Sequence, residues 1–251
     1  MGCTRQQLNV FFDDLLMPQR FKDYCPNGLQ VEGKTDVRHL VTGVTASQAL
    51  IEAARDRQAD AILVHHGYFW RSEPPCITGM KAARVRALIK ADINLFAYHL
   101  PLDCHPVHGN NAALGRLMGI EAPEALDPED SGTPVFLGQF EASVTARELA
   151  DRLSIALDRT PLVIGEGDVK SVAWCTGAGQ GYIDLAADAG ADVYVTGEVS
   201  EQTAHVALER GIAFIGAGHH ATERYGVQAV GSLAAEALGL SHEFIDIDNP
   251  A

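Results

Sequence analysis

The fold is decided by a stretch that occurs twice. Residues 44–64 read VTASQALIEAARDRQADAILV, and residues 176–196 read TGAGQGYIDLAADAGADVYVT, which align without a gap at a constant shift of 132 positions. The matched pairs are Gln48 and Gln180, Ile51 and Ile183, Glu52 and Asp184, Ala54 and Ala186, Asp56 and Asp188, Ala59 and Ala191, and Asp60 and Asp192. Each copy is predicted to hold the end of a strand, an amphipathic helix and a buried strand entered through Ala-Asp. The shared order and spacing indicate a duplication.

The chain continues in the same way after each copy. A helix at about 79–91 and the strand INLFAYH follow the first copy, and a helix at about 199–210 and the strand IAFIGAGH follow the second. Strands that alternate with helices are typical of α/β proteins. We therefore predict two intertwined, duplicated α/β units with mostly parallel sheets and a metal site between them.

Domain boundaries are suggested by the turn-rich segment EAPEALDPEDSGTP, at residues 121–134. The strand VFLGQFE, a helix in TARELADRLSIAL and the short strand PLVIG come after it. We predict a metal-binding α/β unit made of residues 1–125 and 191–251, and a second α/β unit made of residues 126–190.

The composition excludes several classes of protein. The chain has 251 residues, of which 47% are hydrophobic and 21% charged, and a net charge of −14. Its longest basic cluster is the mixed segment MKAARVRALIK, so duplex nucleic acid is not expected as a partner. No run reaches the roughly 18 apolar residues of a membrane helix, and the N-terminus does not resemble a signal peptide. A cytoplasmic protein is expected.

The cysteines argue against two further kinds of site. The five residues, Cys3, Cys25, Cys76, Cys104 and Cys175, are scattered and contain no CxxC pair. This pattern favours reduced packing residues over a disulfide framework or a thiolate zinc site.

Histidines and acids stand at the predicted strand ends. AILVHHGYFW, at residues 61–70, ends a buried strand on His65 and His66, and a strand end can turn both imidazoles toward one cavity. The later strands end at His99 and His219, and each is followed four positions on by an acid, Asp103 or Glu223. Taken singly, each has an ordinary explanation: a packed or exposed histidine, a turn cap at Asp103, or a helix cap at Thr222 or Glu223. Because it contains Pro101, the HxxxD segment is predicted to be a loop.

Taken together, these residues predict a metal site. Imidazole and carboxylate ligands without thiolates suit zinc, iron, manganese or nickel. Their number exceeds the four ligands that close a structural zinc, and matches a site with two ions about 3.5–4 Å apart. The candidates are His65, His66, His99, Asp103, His219 and Glu223.

Several motifs carry a family resemblance that covers essentially the whole chain. YCPNGLQVEG, VTGVTASQA, VHHGYFW, AYHLPLDCHPVHGNNAALG, TGEVSEQTAH and GAGHHATERYG resemble the dinuclear-metal proteins grouped as GTP cyclohydrolase I type 2, the NIF-three-like family, especially its short bacterial members. The resemblance implies a toroidal homohexamer with two divalent ions per subunit. Glu223 would bridge the ions, His65 and Asp103 would hold one, and His66 and His219 the other. His99 would line the site.

The resemblance also implies an activity, hydrolysis of GTP at guanine C8 with release of formate. Glu198 or His99 would then move protons, and Tyr68 or Trp70 would either stack on a purine or pack in the core. Two alternatives remain, because the same ligands serve other reactions. One is a metal-dependent hydrolase of another or damaged nucleotide or of a phosphoester. The other is a non-enzymatic, metal-bound hexameric scaffold or regulatory protein.

Overall fold

The chain forms two compact units. A computed structural model describes residues 2–127 and 132–251. Unit 1 comprises Met1–Leu102 and Arg224–Asp248, and unit 2 comprises Asp103–Glu223 and Asn249–Ala251. The predicted boundaries differ from these, because residues 103–125 and 191–223 fall in unit 2. The physical reason is the repeat itself, since the second copy completes its sheet only with the strands that follow residue 191.

Strands and helices alternate over most of the chain. The strands are β1 (Cys3–Thr4), β2 (Gly28–Val31), β3 (Asp36–Val37), β4 (His39–Thr45), β5 (Ala61–His66), β6 (Asn94–Ala97), β7 (Glu124–Ala125), β8 (Phe136–Thr145), β9 (Leu162–Ile164), β10 (Asp168–Cys175), β11 (Val193–Thr196), β12 (Ala213–Gly216) and β13 (Ser241–Phe244). The α-helices are α1 (Arg5–Leu16), α2 (Gln48–Asp56), α3 (Gly79–Ala91), α4 (Leu100–Cys104), α5 (Asn110–Met118), α6 (Ala146–Leu157), α7 (Ile183–Asp188), α8 (Glu201–Arg210), α9 (His219–Thr222) and α10 (Arg224–Leu238). Within the described ranges, no helix combines the length and apolar character needed to cross a bilayer.

Unit 1 is built on a mostly parallel sheet. Its strand order is β13-β4-β5-β6-β2, in which only β2 pairs antiparallel, and β1 and β3 form a separate antiparallel pair. Helix α1 shows why the helices pack on it: Leu8, Phe12 and Leu16 recur every four residues on one face and are buried. Phe12 meets the sheet residues Phe96 and Tyr98 edge to face.

Unit 2 has a parallel centre with antiparallel neighbours. Its strand order is β7-β8-β10-β11-β12-β9; β10, β11 and β12 are parallel, and β7, β8 and β9 pair antiparallel. Trp174 on β10 is buried, and its indole N–H donates to the carbonyl of Asn111 at 2.9 Å. The predicted α/β class is confirmed. In each unit, the central strands run parallel, so their C-terminal ends lie at the same edge of the sheet.

The duplicated sequence produces the same local structure twice. Leu40 pairs with Ala61 between β4 and β5, and Val172 pairs with Val193 between β10 and β11, again at a shift of 132. Helix α2 begins at Gln48, and a 3-10 turn followed by α7 begins at the matched Gln180. The two central strand pairs therefore share one register.

The repeated arrangement extends beyond the matched sequence. Helices α1 and α6 both have 12 residues and both start with a capping box, Thr4 with Gln7 and Thr145 with Glu148. The strand after each helix, β2 or β9, pairs antiparallel with the third parallel strand of its unit. Each unit thus contains a helix, an edge strand and the βαβαβ segment in the same order.

Candidate metal centre

His65 lies at the end of β5, and its side chain is buried and held by a hydrogen bond. The residue is 0% exposed, and its Nδ1 lies 3.1 Å from the carbonyl oxygen of Tyr98. A carbonyl oxygen can only accept a hydrogen bond, so Nδ1 carries the proton and Nε2 carries the lone pair of the neutral ring. This is the tautomer that a metal ligand requires.

His66 and His99 bring two more imidazoles to the same place in unit 1. The ring centroids of His65 and His66 are 4.4 Å apart, and those of His65 and His99 are 5.0 Å apart. One nitrogen from each of the three rings lies within 4.8 Å of the others. Thr45 Oγ1, at 3.2 Å from Nδ1, orients His66. The tandem histidines therefore do turn toward one cluster at the strand end.

Asp23 holds His99 in a defined orientation. Its Oδ1 lies 2.7 Å from His99 Nδ1, and its Oδ2 accepts from the Leu100 backbone N–H at 2.9 Å. Asn27 completes the arrangement, because Oδ1 accepts from the His99 backbone N–H at 2.7 Å and Nδ2 donates to Asp23 at 2.9 Å. Burial alone would raise the pKa of Asp23, but these hydrogen bonds and the proximity of His99 lower it. The carboxylate thus binds Nδ1 of His99 and leaves Nε2 on the other side of the ring.

Sequence reasoning missed Asp23 and Asn27 as functional candidates. Asn27 lies inside the motif YCPNGLQVEG and Asp23 directly precedes it, but neither stands at the C-terminal end of a strand, where the other candidates were sought. They reach His99 across more than 70 positions of the chain. Only the motif itself signalled that this loop matters.

The two aromatic candidates have different surroundings. Tyr68 is buried, and its hydroxyl donates to the Ala46 carbonyl at 2.7 Å, so it packs in the core. Trp70 is partly exposed, and its ring lies 4.9 Å from the His99 ring and 5.8 Å from the His66 ring. Trp70 is therefore the one of the two that borders the histidine cluster.

Asp103 stands in unit 2, in the short helix α4. The sequence prediction of a loop is wrong here, because Pro101 occupies an early helical position, where no backbone N–H is needed. The Asp103 carboxylate is buried, and its Oδ1 accepts from Asn110 Nδ2 at 2.9 Å and from Thr176 Oγ1 at 3.1 Å. Asn110 and Thr176, which sequence reasoning did not single out, thus fix this carboxylate.

His219 lies between two carboxylates of unit 2. Its Nδ1 is 2.7 Å from Glu198 Oε1, and its Nε2 is 3.2 Å from Glu223 Oε2. Burial opposes protonation, but the hydrogen bonds and charges of Glu223 and Glu198 outweigh it and raise the pKa of His219 to about 9. Glu198 also accepts from Gln180 Nε2 at 3.2 Å. The two carboxylates therefore make the surroundings of His219 favourable to positive charge.

The end of β10 keeps the acids of unit 2 close to the backbone. Thr176 contacts Asp103, and a Cβ added at the next residue, Gly177, would collide with the Glu223 carboxylate and come within 3.2 Å of His219 Nε2. Gly177 has a φ of +67°, which glycine adopts without strain. The strand end thus lies against all three unit 2 candidates, and only glycine leaves room for Glu223.

The donors in both units are of the type predicted from the sequence. Unit 1 offers imidazole nitrogens, and unit 2 offers one imidazole and two buried carboxylates. Burial, with the charge of Asp103, raises the pKa of the Cys175 thiol well above its usual range, so Cys175 supplies no thiolate. Grouped histidine, aspartate and glutamate side chains of this kind fit a metal with nitrogen and oxygen ligands.

Comparisons with known proteins point to one family. The sequence model of the family described as Duf34/NIF3 (NGG1p interacting factor 3) matches residues 3–250. A relative from Vibrio cholerae, described as a GTP cyclohydrolase 1 type 2 homolog, is 53% identical over 248 residues, which cover 97% of this chain and 98% of the relative. A relative from Haemophilus influenzae with the same description is 52% identical, and 98% of each chain is covered.

Solved structures are similar to this chain over the same full length as the sequence relatives. A protein described as ybgI, of unknown function, has a TM-score of 0.93 and 48% identity, with 99% of this chain and 100% of that chain covered. The protein TTHA1606 from Thermus thermophilus has a TM-score of 0.90 and 34% identity, with the same coverage. Both similarities extend over the complete length of the other chain.

Proposed function

Because this chain belongs to the Duf34/NIF3 family, we propose that it is a dinuclear-metal hydrolase. The observation that carries the proposal is the convergence of three imidazoles at strand ends of unit 1, with His65 fixed as the tautomer that can bind a metal. We propose His65, His66, Asp103, His219 and Glu223 as the ligands of two divalent ions. Zinc, iron, manganese and nickel all suit this donor set.

The proposed ligands divide between the two ions. His65 and Asp103 would hold one ion, His66 and His219 would hold the other, and Glu223 would bridge them. Buried hydrogen bonds support this assignment, because Tyr98 orients His65 and Asn110 and Thr176 orient Asp103. When bound, such a pair of ions supplies an activated water and polarises the group under attack.

Two side chains of this protein are suited to move protons. His99 has its Nδ1–H held by Asp23, so its Nε2 can accept a proton and return it. Glu198 lies 2.7 Å from His219 and is partly exposed, so it can exchange protons with solvent. We propose His99 and Glu198 as the acid–base groups, with Asp23 as the positioning residue for His99.

The proposed substrate is a nucleotide, and the reaction is opening of the guanine imidazole ring of GTP with release of formate. This follows the description of the relatives as GTP cyclohydrolase 1 type 2 homologs. Another or damaged nucleotide, or a phosphoester, would need the same ligands. We also propose that the protein acts as a homohexamer, as the family resemblance implies.

The test combines elemental analysis with a product screen. The purified full-length protein should contain transition metal and, with GTP and one of zinc, iron(II), manganese or nickel, should release formate. Asp103→Asn and His65→Ala should each reduce metal content and turnover by more than the roughly 10- to 100-fold loss that follows removal of a supporting group. His205→Ala, which removes an exposed histidine of α8, is the matched control and should change neither.

The screen also separates the alternatives. Release of phosphate without formate from a nucleotide and phosphoester panel would replace the cyclohydrolase assignment by a phosphoester hydrolase. Bound metal with no turnover of any compound would contradict the enzymatic proposal and favour a metal-bound scaffold, whose assembly Asp103→Asn should leave intact.

A further inference from the structure

A groove of about 660 Å³ lies in unit 1, next to the residues that hold His99. Lys22, Asp23, Cys25, Asn27 and Arg71 line it, and we call it the loop groove. Asp23 and Asn27 line the groove and also form hydrogen bonds with His99. These two residues therefore lie between the groove and the histidine cluster. The groove is lined by the segment from Pro18 to Asn27 together with Arg71, and the proposed function leaves this segment without a substrate contact.

Two cations of the loop groove are available to a ligand. Lys22 and Arg71 are exposed, and neither forms an ion pair within residues 2–127 and 132–251, the described part of the chain. Arg71 is nevertheless held in place, because its Nη2 donates to the Asp23 carbonyl at 3.0 Å and its backbone N–H donates to the Tyr24 carbonyl at 2.7 Å. Its remaining guanidinium N–H groups can donate to an anion.

The acidic neighbours do not cancel these charges at the groove surface. The Asp23 side chain is only 3% exposed, and both oxygens are engaged by backbone and side-chain donors. Glu73, farther along the loop, is paired with Lys81 at 3.1 Å. Burial, followed by the charges of Asp23 and Glu73, raises the pKa of Cys25 to about 12, so the thiol is neutral. The groove therefore presents two cations on a chain whose net charge is −14.

Aromatic rings stand on the His99 side of this loop. Tyr24 is 49% exposed, and its ring lies 6.2 Å from the His99 ring, while the Trp70 ring lies 4.9 Å from it. Exposed aromatic rings bind planar bases by stacking, with about 1–3 kcal/mol per base where this has been measured. A planar ring beside Tyr24 or Trp70 would lie next to His99, while an anionic substituent would reach Lys22 and Arg71.

We propose that the loop groove binds the phosphate groups of a nucleotide substrate, with Lys22 and Arg71 as the phosphate-binding residues. The substrate class is therefore a phosphorylated compound that carries a planar base. The inference rests on the proposed function for the role of His99, but binding in the groove can be measured without turnover.

The test measures binding by fluorescence of the full-length protein. Trp70 is partly exposed, whereas the other tryptophan, Trp174, is 0% exposed, so a bound base should quench Trp70 and the signal should vanish in Trp70→Phe. GTP should bind at least about tenfold more tightly than guanosine. Lys22→Gln and Arg71→Gln should each weaken GTP about three- to tenfold, equivalent to roughly 0.7–1.4 kcal/mol, and should leave guanosine unchanged. Inorganic triphosphate should compete with GTP.

Matched controls separate the groove from bulk charge and from the metal. Arg86→Gln and Lys90→Gln remove exposed cations of α3 that line a different cavity of unit 1, and should not weaken GTP. The measurement is repeated after EDTA treatment, in which the phosphate preference should persist. Equal binding of GTP and guanosine, equal losses in the control variants, or a phosphate preference that EDTA abolishes would each overturn the groove assignment.

The same experiments distinguish a failure of the groove assignment from a failure of the proposed hydrolase function. Phosphate-dependent binding that needs Lys22 and Arg71, without any product, would support the groove and contradict the hydrolase. Formate release with a KM for GTP that neither substitution changes would support the hydrolase and contradict the groove.

Discussion

Asp60 and Asp192, which stand 132 positions apart, each accept hydrogen bonds from two consecutive backbone N–H groups. Asp60 accepts from Arg38 at 2.9 Å and His39 at 3.1 Å, and Asp192 accepts from Lys170 at 2.9 Å and Ser171 at 2.8 Å. The donors are separated by the same 132 positions as the acceptors. Both carboxylates therefore fix where the second parallel strand begins beside the first, which explains why Ala-Asp occurs in both copies.

Asp60→Asn is expected to destabilise the protein in a pH-dependent way. An amide keeps one acceptor but loses the charge that attracts Lys34 at 2.8 Å, so we expect a loss of about 1–3 kcal/mol in the free energy of unfolding at pH 7. Burial opposes ionisation, but the bonds from Lys34 and the two N–H groups lower the pKa of Asp60. A lowered pKa gives stability that is present above the unfolded value near 4 and is lost as pH falls through the folded value.

Urea unfolding at pH 7, 5 and 3.5 measures this effect. The difference between Asp60→Asn and the parent protein should shrink as the pH falls. Asp192→Asn is the matched variant and should cost less, because Asp192 is exposed and, within residues 2–127 and 132–251, forms no ion pair comparable to the one between Asp60 and Lys34. An equal, pH-independent loss in both variants would contradict the electrostatic explanation.

Gly177→Ala is expected to disturb the carboxylate of Glu223. The added Cβ meets that carboxylate, and the positive φ adds backbone strain of about 1–2 kcal/mol. Gly211→Ala is the control, since its φ of +68° nearly equals the +67° of Gly177 and an added Cβ meets no atom within 4 Å. Both variants should be destabilised, but only Gly177→Ala should lower the metal content measured by elemental analysis. Equal metal content in the two variants would remove Glu223 from the proposed ligands.

Asp23→Asn is expected to release His99 from its orientation. The carboxylate accepts four hydrogen bonds, and an amide must turn its NH₂ group toward some of these donors, which should cost about 2–3 kcal/mol of stability. The turnover of Asp23→Asn should also fall, and the pH dependence of that turnover should change. Asp13→Asn removes a carboxylate that bonds Tyr98 and Asn9 in the same unit, and should reduce stability without altering the pH profile. An unchanged profile in Asp23→Asn would show that Asp23 is only structural.

Cys25 is expected to resist alkylation. Because its pKa is raised to about 12, almost no thiolate exists at pH 8, and the thiolate is the reactive form. Cys76 is exposed and should react with iodoacetamide first, as mass spectrometry of tryptic peptides can measure. Raising the pH from 8 to 9.5 should leave Cys25 largely unmodified in the folded protein. Equal labelling of both residues at pH 8 would contradict the buried, acid-flanked environment of Cys25.

The helices and strands of the repeated segment could be predicted from the sequence, but the boundaries of the two units could not. The apolar periodicity of residues 79–91 predicted helix α3. The shift of 132 predicted that α2 has a counterpart at residues 180–188. Both predictions succeed because the spacing of apolar residues depends only on neighbouring positions in the chain. The correspondence of α1 with α6 escaped detection, since only their capping boxes and lengths agree. The boundary predictions differ from the observed ones because a turn-rich segment marks a loop, whereas membership of a sheet depends on pairing between distant strands.

The candidate residues show the same division. The sequence predicts that a strand end turns His65 and His66 toward one cavity and that a later strand ends at His99, and the three imidazoles do lie together. Asp23 could not be found in this way, because it lies in a loop and its partner His99 is fixed only by the folded chain. The meeting of His65, His66, Asp103, His219 and Glu223 on two ions remains a proposal.

Gly197 marks a position at which the two copies are not interchangeable. It occupies the position in the second copy that His65 occupies in the first, at the shift of 132. A Cβ there would lie 2.6 Å from both the Gly177 carbonyl oxygen and His219 Cα, so no larger residue fits without movement of the main chain. A histidine at position 197 would therefore require the main chain near Gly177 or His219 to move, so the second copy has no counterpart of the His65 imidazole.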